Sequence, residues 1–263
     1  MKNLYQNLLA CFGLDSLDSE TLRQYKAAAE TGDALACYNL AMCYQTGKNV
    51  SQNTDKAVQL FKQAAEQNLP EAAYALGLCY HKGEGLEQNA TEAVFWLRQA
   101  AEQNHPDAQY ALGAIYHLGH DVEQDWDEAL RWIWKAAEQG QPEAQYNIAA
   151  CYQYGYGLEK NPPEAVRWYR KAAEQGLLKA QYNLAACCGN GYGTEQNLPE
   201  AAKWYGKAAE QGDVAAQFYL GMCYENGYGL DKNDKEAAKW YAKAEAQGSP
   251  SARQALKRLR EKK

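Results

Sequence analysis

Three histidines have the spacing in this sequence that comes nearest to a metal site. His81 and His117 lie 36 residues apart, and His120 follows three residues later. All ligands of one zinc ion must converge to within about 2 Å of it. His81 and His117, however, occupy the same position in neighbouring helical repeats, and packed helices lie about 10 Å apart. We therefore predict that these histidines bind no metal.

The eight cysteines offer thiol chemistry, but their spacing indicates packing. One repeat position holds Cys43, Cys79, Cys151, Cys187 and Cys223, with Ile115 in the remaining copy. A position that accepts Cys or Ile is a small apolar core position. Cys11, Cys37 and Cys188 form no pair that recurs in each repeat. We predict free thiols and a reducing, cytoplasmic location.

No catalytic motif accompanies these residues. The sequence lacks the phosphate loop Gly-x-x-x-x-Gly-Lys, the zinc motif His-Glu-x-x-His and the nucleophile motif Gly-x-Ser-x-Gly. Its Gly-x-Gly segments join two predicted helices, whereas a dinucleotide loop joins a strand to a helix. The sequence thus predicts a protein that is not an enzyme and needs no cofactor.

A 36-residue repeat positions all of these residues. Its clearest copy is QPEAQYNIAACYQYGYGLEKNPPEAVRWYRKAAEQG, at 141–176. Internal repetition at a fixed period of 20 to 50 residues is typical of a solenoid, in which each unit packs only on its neighbours. Six full units follow one another without insertion or deletion, at 33–68, 69–104, 105–140, 141–176, 177–212 and 213–248.

Degenerate segments flank the six units and are predicted to cap the array. Residues 1–32 carry apolar side chains at helical spacing, among them Leu4, Leu8 and Phe12. Leu-Leu-Ala-Cys, ending at Cys11, resembles a lipoprotein cleavage box, but the preceding residues are too few and too polar for a secretory signal. Residues 249–263 predict one more helix, and its basic end, KRLREKK, reads as a solvated cap or as a recognition tail.

Each unit predicts a helix, a glycine turn and a second helix. Ala144, Ile148 and Cys151 share one face of the first helix. Gly155 then permits the left-handed backbone that ends a helix. An Asn or Asp such as Asn161 starts the second helix, and Glu164, three residues on, is expected to bond back to it as a capping box. The fold class is therefore an all-α solenoid.

Composition restricts the classes of partner that the protein can be expected to bind. The net charge is −6, from 27 basic and 33 acidic residues, which argues against nucleic acid because nucleic-acid binding requires a basic surface. No apolar run reaches the 18 residues that a membrane span needs. The 20 tyrosines and 7 tryptophans outnumber the 4 phenylalanines, so many rings carry a polar atom that suits half-buried grooves.

The repeating unit reads A-x-A-Q-Y-x-L-G-x-x-Y-x-x-G-x-G, continued by E-A-x-x-W-Y-x-K-A-A-E-Q-G. It resembles the Sel-like repeat (SLR), a relative of the tetratricopeptide class, and the resemblance covers roughly residues 20–260. The resemblance implies a right-handed superhelix whose first helices line a concave surface, and a protein that acts as an adaptor, a host-interaction factor or an immunity protein. The turns at Gly47-Lys48-Asn49 and Gly119-His120-Asp121 lack the second glycine and are expected to differ in shape. A cysteine-rich branch linked to β-lactams has a disulfide in each repeat, which this chain lacks.

By analogy with tetratricopeptide packing, an aromatic column is expected to face the concave groove: Tyr38, Tyr74, Tyr110, Tyr146, Tyr182 and Phe218. Such a ladder can dock a peptide segment, although rings at this spacing also fit a core between helices. Carboxamides next to it, which can hold a peptide backbone, are Asn39, Asn147 and Asn183.

The remaining groove candidates are polar. An acidic row, which can steer a basic partner or simply complement helix N-termini, consists of Glu71, Asp107 and Glu143. The groove edge is completed by His81, His117, Gln153 and Tyr154. The sequence thus predicts a monomeric scaffold that binds another protein or a peptide. The alternatives are an immunity protein that blocks a secreted toxin and, more remotely, a β-lactam-hydrolysing enzyme.

Overall fold

The computed structural model describes residues 18–119 and 122–261, and these ranges contain fourteen α-helices and no β-strand. The predicted N-terminal helix, Cys11 and His120 lie outside the described residues. The helices are α1 (Ser19–Glu30), α2 (Ala34–Thr46), α3 (Thr54–Ala65), α4 (Pro70–Lys82), α5 (Ala90–Glu102), α6 (Pro106–Leu118), α7 (Trp126–Glu138), α8 (Pro142–Tyr154), α9 (Pro162–Glu174), α10 (Leu178–Asn190), α11 (Leu198–Glu210), α12 (Val214–Asn226), α13 (Asp234–Ala246) and α14 (Pro250–Glu261).

The predicted all-α solenoid is confirmed: each 36-residue repeat is a helix pair, from α2 and α3 to α12 and α13. Contacts along the chain divide it into two compact units, Met1–Ala129 and Leu130–Lys263. Within each unit, helices pack on their neighbours in sequence. A helix of 13 residues is marginal alone, so this stacking supplies the stability of each pair.

Small residues let the helices approach closely. The alanine column, from Ala36 through Ala144 to Ala252, is buried throughout. The branched aliphatic column from Leu40 to Leu220 is buried as well, and so are Trp132, Trp168 and Trp204. Alanine at the crossing points brings helix axes together, and the larger rings fill the wider gaps between them.

The first helix of each repeat ends at the predicted glycine in the left-handed conformation, as at Gly191 (φ 69°). The second glycine of the turn has a further role. A Cβ built on Gly193 would lie 2.3 Å from the carbonyl oxygen of Pro162, at the start of the preceding repeat's second helix. Asn49 replaces this glycine in the first repeat, yet its φ of 58° is also left-handed. The expectation that this turn has a different shape is therefore wrong at Asn49, because Asn tolerates that conformation.

The second helices are capped by their predicted Asn or Asp, but the capping box is only half formed. The Asn161 side chain accepts the backbone N–H of Glu164 at 3.2 Å. The backbone N–H of Asn161 already donates to the carbonyl of Tyr152 at 3.0 Å. The Glu side chain is therefore free to bind elsewhere: Glu92 accepts the indole N–H of Trp96 at 3.1 Å, for example.

A ladder of glutamine pairs, in which one member of each pair is buried, joins helices both within and between repeats, and the sequence pattern does not predict it. Gln145 donates to the carbonyl of Ala137 at 3.2 Å, and its own carboxamide oxygen accepts from Gln175 at 2.9 Å. Gln175 also donates to the carbonyl of Gly140 at 2.7 Å. The equivalent pairs are Gln181 with Gln211 and Gln217 with Gln247. Each buried amide is thereby satisfied.

Helix α14 covers the end of the second unit. Ala252, Ala255, Leu256 and Leu259 are buried against Tyr241 and its neighbours on α13. This apolar contact agrees with the predicted role of residues 249–263 as a cap, since an uncovered last repeat would expose its core face.

Candidate partner-binding site

The aromatic column divides between core and surface. Tyr38 and Tyr74 are 2% and 5% exposed, so at these positions the core interpretation of the ladder matches the structure. The other four members, which retain an exposed edge, are Tyr110, Tyr146, Tyr182 and Phe218. The column is therefore not a uniform groove lining.

Most column rings pack first against an aromatic ring on the second helix of their own repeat. Tyr38 lies 5.8 Å from Phe61, Tyr146 lies 5.6 Å from Tyr169, and Phe218 lies 5.6 Å from Tyr241, measured between ring centroids. This contact fixes the orientation of each ring. Only the outer edge remains for a partner.

The predicted carboxamides are half-buried, and one of them bonds within the protein. Asn183 donates from Nδ2 to the hydroxyl of Tyr146 at 3.2 Å, which connects α10 to α8. Asn39 and Asn147 are half-buried at the same repeat position. An asparagine that bridges repeats in this way holds the surface in place.

The acidic residues lie in separate surroundings. In the first unit, burial raises the pKa of Tyr38, and the nearby carboxylates of Glu71 and Asp107 raise it further. Burial is also the main cause of the lowered pKa of His105, whose Nδ1 accepts the N–H of Ala108 and caps α6. In the second unit, Glu143 accepts from the Gln141 side chain at 2.7 Å.

The predicted histidines and the residues of the groove edge differ in their surroundings. His117 contacts Trp126 edge-on at 4.4 Å, and the carbonyl of His81 accepts from Gln88 at 2.9 Å. No group of three potential metal ligands occurs in the part of the chain that the structure describes. Gln153 accepts the Tyr169 hydroxyl at 2.6 Å, while Tyr154 is 52% exposed.

The strongest candidate site is a cavity of about 450 Å³ in the second unit, between α10, α11 and α12. We call it the tyrosine pocket. Its aromatic wall consists of Tyr182, Tyr205, Tyr219 and Tyr228. Tyr205 and Tyr219 stack at 5.1 Å with their planes 14° apart, and Tyr182 lies about 6 Å from both rings. Tyr219 and Tyr228 are 37% and 46% exposed.

Sequence reasoning found only Tyr182 of these four rings, although a signal was present for Tyr219. The position after the column holds Asn39, Asn147 and Asn183 in other repeats, and a tyrosine replaces the asparagine only at 219. Tyr228 stands between the two glycines of its turn, where Tyr156 and Tyr192 stand in theirs. Convergence of these rings with Tyr205 depends on packing that periodicity does not reveal.

The pocket wall is uncharged. Its residues are tyrosines, small or apolar side chains, and the amides Asn190 and Gln196. Burial, followed by the neighbouring Tyr219 hydroxyl, raises the pKa of Tyr182, and burial raises the pKa of the wall thiol Cys223 to about 11. Tyr182 and Cys223 therefore stay neutral at physiological pH, and the wall has no acidic or basic side chain, which suits apolar contact and neutral hydrogen bonding.

The thiols are free, as predicted, at the seven cysteines within the described ranges. Six are buried, and burial raises the pKa of Cys79 to about 12 and of Cys187 to about 11. A nucleophilic cysteine needs a lowered pKa. These thiols therefore pack as small core residues.

Within residues 18–119 and 122–261, none of the helices is long and apolar enough to span a membrane.

Comparison with known proteins agrees with the repeat architecture. The Sel1 repeat model matches at residues 34–69, 70–105, 106–141, 142–177, 178–213 and 214–249. No curated protein sequence matches the chain significantly.

Among solved structures, a protective antigen of uropathogenic Escherichia coli strains that displays an SLR fold matches with TM-score 0.84 and 35% identity, over 92% of this chain and 52% of that one. The chain thus spans about half the length of the antigen. A Sel1 repeat protein from Oxalobacter formigenes matches with TM-score 0.69 and 33% identity, over 87% and 88% of the two chains. An immunity protein from Pseudomonas aeruginosa, 21% identical with TM-score 0.50 over 83% and 82%, shares the fold alone.

Proposed function

The chain belongs to the Sel1 repeat family, whose repeats generally mediate protein–protein interaction, and we propose that it is a monomeric scaffold that holds a partner protein at the tyrosine pocket. The observation that carries the proposal is the cluster of Tyr182, Tyr205, Tyr219 and Tyr228 around an open, uncharged cavity. Tyrosine is enriched at the centres of protein interfaces because its ring buries a large area and its hydroxyl still finds a partner.

The pocket fits a partner that inserts an apolar or aromatic side chain. Its aromatic wall gains from desolvation, and tyrosine and amide groups at the rim can bond the partner's backbone. Charge steers neither an acidic nor a basic segment into the pocket itself, because the wall is neutral. Binding is therefore expected to change little with salt.

A binding role also agrees with the state of the thiols. The raised pKa values of Cys79, Cys187 and Cys223 make them poor nucleophiles. Free thiols fit a reducing compartment, so the proposal includes a cytoplasmic location in a bacterial cell. The β-lactam activity suggested by a cysteine-rich branch is not proposed, because the described cysteines form no disulfide.

The test is an affinity capture on immobilised full-length protein, with partners identified by mass spectrometry. The wild type is compared with Tyr219→Ala/Tyr228→Ala, which removes the two most exposed rings of the wall, and with the control Phe95→Ala, which removes an exposed ring of the first unit. We expect the double variant to lose its captured partner and Phe95→Ala to retain it. Equal capture by the wild type and the double variant would reject the pocket as the site.

The same capture separates a scaffold from a dedicated inhibitor. Recovery of several unrelated proteins supports the scaffold, whereas recovery of one secreted toxin, with loss of its activity on binding, supports the immunity protein that the sequence offers as an alternative. Circular dichroism of each variant shows that loss of capture does not result from unfolding.

A further inference from the structure

An arginine joins consecutive repeats at two places in this chain. In the first unit, the guanidinium of Arg98 bonds the hydroxyl of Tyr116 and pairs with Glu128 at 3.6 Å. In the second unit, Arg170 occupies the same repeat position and pairs with Glu200. Glu200 also accepts the indole N–H of Trp204 at 3.4 Å. One carboxylate thus bonds both a guanidinium and an indole.

Between these two places the arginine is replaced by Trp134. The groups that would receive a guanidinium are still present, because Tyr152 stands at the position of Tyr116 and Glu164 at that of Glu128. Trp134 lies edge-on to Tyr152 and Trp168, at 6.2 and 5.7 Å, and donates its N–H to Glu138 at 2.9 Å. Tyr152 and Glu164 therefore receive no arginine from the preceding repeat.

Two irregularities follow at this position. Glu164 bonds Arg167 on its own helix, at 3.1 and 3.3 Å, and its side chain is 32% exposed, against 23% for Glu128 and 25% for Glu200. The indole N–H of Trp168, which is 5% exposed, has no acceptor among the residues that the structure describes. Buried donors are almost always paired, so this one indicates a missing interaction.

A cavity of about 460 Å³ lies at the same place. Three aromatic rings line it, those of Trp134, Tyr152 and Trp168, together with the carboxylates of Glu138 and Glu164. We call it the tryptophan cavity. A planar guanidinium matches both parts of this lining, since it stacks on aromatic faces and bonds carboxylates through two N–H groups.

Two cations of the protein also line the cavity, Arg167 and Lys171. Lys171 already lies over the Trp168 ring, 4.0 Å from its centroid. Arg167 has an alternative position, because its repeat equivalent, Arg131, lies 4.9 Å from the centroid of the Trp132 ring. An incoming guanidinium can therefore take Glu164 while Arg167 moves aside.

We propose that the tryptophan cavity binds an arginine side chain of a partner protein, a second contact independent of the tyrosine pocket. The guanidinium pairs with Glu164, bonds the Tyr152 hydroxyl as Arg98 bonds that of Tyr116, and contacts the Trp134 ring. Glu164, released from Arg167, then accepts the Trp168 N–H, as Glu200 accepts that of Trp204. Binding thus satisfies the buried indole.

The test titrates acetyl-arginine amide into the full-length protein labelled with ¹⁵N-tryptophan. Seven indole N–H signals are expected, and Trp168→Phe identifies that of Trp168. We expect the Trp168 proton signal to move downfield and saturate, and Glu164→Gln to weaken binding about tenfold because it removes a charged hydrogen-bond acceptor. The neutral isostere acetyl-citrulline amide should cause no saturable shift.

Two variants complete the test. Glu236→Gln is the matched control. Glu236 holds the same repeat position as Glu164, but Gly206 stands at the repeat position of Trp134. Its binding should equal that of the wild type. Trp134→Arg restores the in-chain arginine, so it should move the Trp168 signal without ligand and abolish the titration. A Trp168 signal that does not move, or that moves equally in Glu164→Gln or with citrulline, would overturn the proposal.

Discussion

The hydroxyl of Tyr241 on α13 donates to the carboxylate of Glu225 on α12 at 2.9 Å, and that carboxylate is 2% exposed. Arg258 on α14 completes the group, with its Nη2 at 2.6 Å and its Nε at 3.3 Å from the two oxygens of Glu225. Three successive helices therefore meet at one buried carboxylate. The last helix is held by a charge pair as well as by its apolar face.

Replacing Arg258 should destabilise the C-terminal end of the protein. Arg258→Ala leaves the Glu225 carboxylate without its cation, and because the Arg258 side chain is itself 56% exposed, so that water screens the pair, the expected cost is about 1–3 kcal/mol. Urea unfolding measures the loss. Arg253→Ala, which breaks an exposed pair with Glu245, should cost less than about 1 kcal/mol. Equal losses in the two variants would show that burial of Glu225 does not decide the effect, and Glu225→Gln/Arg258→Ala should recover part of the stability.

The two kinds of repeat glycine should respond differently to alanine. Gly176→Ala needs a left-handed alanine in open space and should cost about 1–2 kcal/mol. Gly193→Ala adds a Cβ that meets the Pro162 carbonyl oxygen at 2.3 Å, so the backbone must move and the loss should reach about 4 kcal/mol. Thermal or urea unfolding compares the two. If they lose the same stability, the close approach at Gly193 relaxes at no cost.

Much of the fold was accessible from the sequence because the repeat forces the same residue into the same environment six times. The alanine column, the glycine that ends each first helix and the Asn caps are local features, and the structure confirms them. The Glu of the capping box was placed wrongly because the Asn161 backbone N–H binds the Tyr152 carbonyl, a contact that depends on how the turn folds back.

The candidate sites were less accessible, since both arise where a repeat departs from the pattern. The tyrosine pocket forms where Tyr219 replaces the usual asparagine, and the tryptophan cavity forms where Trp134 replaces an arginine. The residue type that is commonest at a repeat position does not predict what a single exception at that position does. The pairing of Arg258 with Glu225, 33 residues away, is not apparent from the sequence either, because the basic C-terminal run predicts only a solvated cap or a recognition tail.

Stability should decrease in mild alkali because of the buried thiols. Burial raises the pKa of Cys79 from 9.0 to about 12, and of Cys187 and Cys223 to about 11. At pH 7.5 and below, both the folded and the unfolded chain keep these thiols protonated, so their contribution is constant. Above pH 9 only the unfolded chain releases the protons, and the free energy of unfolding falls until pH passes the folded pKa values.

Urea unfolding between pH 7.5 and 9.5 checks this dependence, and because unfolded tyrosines begin to ionise at the upper end of this range, a cysteine variant is needed to isolate the contribution of the thiols. Cys79→Ala supplies the control: it is less stable at pH 7.5 but should lose less stability on going to pH 9.5, because one shifted thiol is gone. A wild-type free energy of unfolding that stays flat to pH 9.5, or an unchanged slope in Cys79→Ala, would contradict the assignment to thiols.

Tyr146 and Asn147 test whether the half-buried column belongs to the partner surface. Tyr146→Ala/Asn147→Ala removes the ring contact with Tyr169 at 5.6 Å and the hydrogen bond from Asn183 at 3.2 Å. Because the Tyr146 ring is only half-buried, the expected cost is about 2 kcal/mol, small enough for the helices to persist. We expect weaker capture of the partner and unchanged ellipticity at 222 nm. Loss of ellipticity would assign both residues to the core, as Tyr38 and Tyr74 already are, and would exclude them from the partner surface.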